Sequence, residues 1–176
     1  MSKIYLYSFL FLSVLMLAAF VVACSSGSQN VQKEVKGEIT EYVYHYGDRS
    51  VPPEYHRSYT IAVSADTTVV VVTTYGKELL RKVYHQNKLA EIEAALNTMD
   101  IRLKKEKKSA CSGGYSESLQ KYVQDEVVFN GYVYHCEGES GTLHVGKGDL
   151  SSVFKEVVPE SVDSLINETR KHETEI

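Results

Sequence analysis

The sequence predicts an α+β domain, a mostly antiparallel curved sheet of about six to eight strands with one main helix packed on it and short helices near the C-terminus. Three observations predict it. Thr67-Thr68-Val69-Val70-Val71-Val72-Thr73-Thr74 is an unbroken β-branched run, whose stiff side chains suit a strand. Asn130-Gly131, between two runs of β-formers, is the strongest short hairpin signal in the chain. Leu89, Ile92, Leu96 and Met99 recur at helical spacing on a single stripe, with Glu91 and Glu93 outside it. The gaps between extended segments are short, and parallel neighbours would need long crossovers, so the pairing is mostly antiparallel.

In chain order, residues 24–37 mix Ser, Gln, Asn, Lys and Glu without periodicity and read as a tether. The domain is expected over 38–168, with 169–176 as a polar tail. Tyr42, Tyr44 and Tyr46 alternate with Val43 and His45, the period of a strand. Gly47 to Pro53 ends it, because proline cannot donate to a ladder. Tyr59–Ser64 is the second strand and Ala65-Asp66 a tight turn. The valine run is the third strand, and its four consecutive valines suggest burial on both faces. Gly76-Lys77 turns into Leu79–His85. The main helix is expected over 87–99 with Asn87 as its N-cap. Arg102 to Lys108 reads as a charged loop and Cys111-Ser112-Gly113-Gly114 as a flexible turn. Residues 116–123 look extended, Gln124-Asp125 turns, and Val127–Phe129 pairs through Asn130-Gly131 with Tyr132–Cys136. Thr142–Val145 is a short strand. Asp149 caps a helix whose stripe is Leu150, Val153, Phe154 and Val157, and Pro159 stops it. Val162, Leu165 and Ile166 mark a last short helix.

The N-terminus has a different character. After Lys3, Ile4 to Ala23 carry no charge, the layout of a signal peptide over 1–23. Val21-Val22-Ala23-Cys24 resembles the lipobox of bacterial lipoproteins. The resemblance implies cleavage after Ala23, a diacylglycerol on the Cys24 sulfur and an acylated new amino group. Ser25 in place of Asp, by the same resemblance, favours the outer membrane, with the protein facing the periplasm. The membrane is then the first partner, reached through Cys24.

With Cys24 lipidated, Cys111 and Cys136 are an even pair in an exported chain, for which a disulfide is the default. Two free thiols, or a Cys111 nucleophile, stay open as alternatives. Tyr42-Val43-Tyr44-His45 recurs as Tyr132-Val133-Tyr134-His135. The echo suggests a binding face made of Tyr42, Tyr44, Tyr46, Tyr132 and Tyr134, against the alternative of ordinary packing. His45, His56, His135 and His144 show no close ligand pair, so no metal or cofactor is expected. Ser118-x-x-Lys121 and Ser152-x-x-Lys155 fit a short nucleophile pattern twice, which argues for chance. The cations Arg102, Lys104, Lys105, Lys107 and Lys108 read as solvated. A net charge of −4 argues against nucleic acid, whose binders need a basic footprint.

The reading is therefore a lipid-anchored cell-envelope protein that is not an enzyme, a binding or structural module. An inhibitor or accessory subunit of an envelope enzyme, docking through the tyrosine face or Pro52-Pro53, is the alternative. A small hydrolase using Cys111 or a histidine ranks last.

Overall fold

The computed structural model describes residues 37–49, 51–108 and 111–173, the last three by backbone alone, and these belong to one compact unit. The leader 1–23, Cys24 and all but the last residue of the 24–37 tether lie outside the described residues. Eight antiparallel strands form one open sheet: β1 Glu41–Asp48, β2 Ser58–Ser64, β3 Thr67–Thr74, β4 Lys77–His85, β5 Ile101–Lys107, β6 Tyr115–Val123, β7 Glu126–His135 and β8 Glu139–Val145. Their order across the sheet is β4-β3-β2-β1-β6-β7-β8-β5. Three helices follow in sequence: α1 Leu89–Asn97, α2 Leu150–Glu156 and α3 Val162–Glu173. The expected α+β class, the main helix and the C-terminal helices are all present.

The order explains the layering. β1 to β4 is a meander built outward from the middle, and the chain then crosses through α1 to the opposite edge, where β5 pairs only with β8. That crossing lays α1 over one face. Tyr44, Ile61, Val70, Val72 and Leu119 point to this face, fully buried against Ile92, Leu96, Phe154 and Leu165 of the helices. The Tyr44 and Phe154 rings stack at 5.0 Å. Salt bridge Lys82–Glu168 (3.6 Å) and the Tyr84 hydroxyl on Glu160 (3.1 Å) hold the β4 end to the α3 region.

Several sequence expectations need correction. The valines of β3 alternate: Val70 and Val72 are buried, whereas Val69 and Val71 are half-buried on the face without helices. Lys88, not Asn87, occupies the N-cap of α1 and makes no side-chain capping bond. Asn130-Gly131 is not a hairpin; it lies inside the ten residues of β7. A Cβ on Gly131 would stand 2.8 Å from Leu103 Cδ2 and 3.0 Å from Leu143 Cδ1, so glycine serves close approach here rather than a turn. The turn is made at Gln124-Asp125, where Gln124 takes a φ of 56°. Arg102 to Lys107 is strand, not loop. Its charges sit on an unpaired sheet edge, where they discourage pairing with another chain. The polar tail from 169 begins as helix: Thr169 is buried and accepts from Arg57 Nε at 2.9 Å. Among the described residues no helix is long and apolar enough to cross a membrane.

Candidate ligand groove

The face away from the helices carries no described helix, and its register fixes what it presents. One row runs Val83, Val69, Ala62, Val43, Gln120, Asn130 across the strands. The next runs Arg81, Val71, Thr60, His45, Ser118, Tyr132. At one end of these rows two depressions of about 480 and 390 Å³ share Arg49 and Ser116 as lining residues. Together they form a groove across the middle strands.

On the β2–β3 side, His56 is buried, and its ring stacks on Tyr75 at 4.2 Å. The Tyr75 N–H points at His56 Nδ1 (3.3 Å), which makes Nδ1 the acceptor and leaves the proton of a neutral ring on Nε2, 3.4 Å from Ser58 Oγ. Tyr75 and Gly76 form the β3–β4 turn at φ 45° and 80°, so the tyrosine is thrown outward and is 64% exposed. His45 Nδ1 lies 3.0 Å from Thr60 Oγ1. Its pKa is lowered, first by burial and then by the Arg49 charge.

On the β7 side, the Arg49 guanidinium lies 5.8 Å over the Tyr134 ring, a cation–π contact. The Tyr134 hydroxyl donates to the Gly113 carbonyl, and the Arg49 N–H to Gly114 O at 3.2 Å. Tyr132 is 40% exposed and donates to Glu106 Oε1 at 2.7 Å, which raises its pKa. Cys111 and Cys136 sit with their sulfurs at bonding distance and Cα atoms 6.0 Å apart, so the pair closes the 111–114 turn against the end of β7. Cys111 also lines the groove.

No known protein family, no curated protein and no solved structure matches this chain.

The five tyrosines expected on one face are divided between two. Tyr44 pairs with Leu119, and Leu119 with Gly131; Tyr132 instead shares the row of Ser118 and His45. The two echoes are therefore out of phase by one residue. Tyr42, Tyr44 and Tyr46 face the helices, and Tyr132 and Tyr134 face the groove. Tyr42 and Tyr44 are buried, and burial pushes the Tyr42 hydroxyl up to about 12 and Tyr44 higher still.

The helix-side tyrosines build a second cluster. Glu117, 8% exposed, accepts from Tyr44 Oη at 2.7 Å on one oxygen and meets His135 Nε2 at 2.8 Å on the other. His135 stacks on Tyr115 (4.4 Å), Tyr115 on Tyr46 (5.4 Å) and Tyr46 on Tyr59 (5.1 Å). Both carboxylate oxygens are taken by protein partners, which makes Glu117 a positioning group. Among the described residues no group of three or more His, Cys, Asp or Glu is arranged to hold a metal.

Arg49, Tyr75 and Ser116 escaped the sequence reading, which weighed His45 and His56 only as metal ligands. Arg49 fell in a stretch read only as a strand terminator, and the groove residues come from segments far apart in the chain. A lone cation after an aromatic strand was the one signal available.

Proposed function

We propose that the protein is a lipid-anchored module of a bacterial envelope, held through Cys24 and facing the periplasm, that binds a ligand in the Arg49 groove without catalysing a reaction. The observation that carries the binding half is the helix-free sheet face: the groove opens on strands already paired on both sides, and no described element covers it. The anchoring half is supported by Val21-Val22-Ala23-Cys24 and the polar residues behind it. Two or three acyl chains hold a protein on a bilayer stably, whereas one does so only marginally. The Cys111–Cys136 pair fits an oxidising compartment.

The test compares the full chain with Cys24→Ala. The mature wild type is expected to begin at Cys24 with the added mass of its acyl groups and to fractionate with membranes, and the variant to lose both. A mature chain beginning elsewhere and bare of fatty acid would overturn the anchor. Envelope material retained by both forms after detergent extraction reports the binding half, and none retained by either overturns it.

One observation favours a second reading, an inhibitor or accessory subunit of an envelope enzyme. Tyr55, in the 3-10 turn Pro53–Tyr55, is 58% exposed and directly precedes His56, which lines the groove. A single envelope protein co-purifying through that turn, and lost on Tyr55→Ala, would decide for it.

A further inference from the structure

We infer that the groove takes an acidic sugar chain, with Arg49 meeting its negative charge; this rests on the binding reading above. Four features converge on that class.

First, charge is locally inverted. In a chain of net charge −4, the groove gathers Arg49, Lys107 and Lys108 against Asp48 and Glu106. Glu106 already accepts from Tyr132. Burial holds the His45 pKa down, and the Arg49 charge lowers it further. Second, the described lining of both depressions contains no aliphatic side chain. A lipid tail, or a peptide anchored by apolar residues, would need such pockets. Third, the strands beneath are interior ones. β1 is paired with β2 and β6, and β6 with β1 and β7, so beneath the middle of the groove an added peptide strand has no edge to pair with, and the β5 edge at one side carries Lys104, Lys105 and Lys107. Across the middle strands recognition runs through side chains.

Fourth, those side chains suit sugars. Thr73 and Ser116 supply hydroxyls that both donate and accept. Tyr75 and Tyr132, on the two sides of Arg49, are exposed, so a free ring face can lie against the C–H faces of pyranoses while the hydroxyls donate to Val51 O and Glu106. A groove formed of two joined depressions suits several residues of an elongated chain better than one compact molecule.

The experiment uses the full chain in detergent, titrated calorimetrically with three probes of matched length: an oligogalacturonate, a neutral malto-oligosaccharide and a polyglutamate peptide. The oligogalacturonate is expected to bind best, and to weaken as salt rises. Arg49→Gln is expected to weaken it about tenfold, the loss of one charge-assisted contact. Lys107→Gln, on an exposed edge strand, should weaken it less, and thermal unfolding of both variants checks that each is folded. Equal binding of the neutral sugar, or indifference to Arg49→Gln in a folded variant, overturns the acidic class and leaves the binding reading standing. Tighter binding of polyglutamate overturns the sugar in favour of an acidic peptide. Failure of all three probes overturns this inference, and the binding reading falls with it only if the envelope retention described above also fails.

Discussion

Glu117 owes its place in a nearly closed site to two donors, and removing one measures what that bond is worth. Tyr44→Phe keeps the ring stacked on Phe154 but takes the hydroxyl from Glu117 Oε1. A buried acceptor left without its donor costs about 1–3 kcal/mol. We expect the urea midpoint of Tyr44→Phe to fall accordingly, and Tyr46→Phe, at the same face but without that bond, to change little. His45 works with the opposite chemistry, because the fold favours its neutral ring. Below the ordinary histidine value of about 6.5 the unfolded chain takes up a proton that the folded chain resists. Its contribution to stability is therefore complete above that pH, declines as pH falls through it, and levels off below the folded pKa. Glu41, whose pKa burial raises, acts in the reverse sense at lower pH. The difference between wild type and His45→Asn, measured by urea unfolding from pH 7.5 to 5, isolates the histidine: the variant should lose less stability over that range.

At the scale of elements, Gly131 shows how a local signal yields to long-range register. An added Cβ would stand 2.8 Å from Leu103 of edge strand β5, which is partly exposed, and 3.0 Å from the fully buried Leu143 of β8, so Gly131→Ala forces the Leu143 side chain and the core around it to shift. We expect a cost of roughly 1–3 kcal/mol in chemical unfolding, as for other overpacked sites, with no change of fold. What the sequence made legible were elements whose cause is local. The β-branched run became β3 with unchanged ends, Ile92 and Leu96 of the Leu89–Met99 stripe became the buried face of a helix that ends at Asn97, short of Met99, and Asp149 caps α2 by accepting from Ser151 N at 3.1 Å. The illegible parts were decided by partners distant in the chain. β5 is a strand because β8 supplies its ladder, not because Arg102-Leu103-Lys104-Lys105 prefers one. The tyrosine echo split because β6, between β1 and β7, set the two registers one residue out of phase, and a one-residue slip moves every side chain to the other face.

For the whole molecule, the groove has a consequence for how the fold is closed. Its β7 wall is the turn at 111–114, whose ties include the Cys111–Cys136 pair, the Tyr134 hydroxyl on Gly113 and the Arg49 backbone N–H on Gly114. The first closes a loop of 25 residues containing β6 and β7, the two strands that join the β1–β4 meander to β8 and β5. Of this site the sequence offered only the cysteine pair and two of its tyrosines, since side chains from seven strands and two turns meet only once the sheet exists. In chain-entropy terms the cross-link is worth roughly 3 kcal/mol, acting mainly on the unfolded state. Cys111→Ser with Cys136→Ser is therefore expected to lower stability by about that amount while the sheet persists below its new midpoint. The groove should respond before the sheet does. Without the cross-link, the turn that receives Arg49 and Tyr134 loses its covalent tie, so the double variant should lose ligand affinity at temperatures where its far-ultraviolet circular dichroism is still native. Loss of affinity and of sheet signal at one common temperature would show instead that the cross-link serves the fold alone.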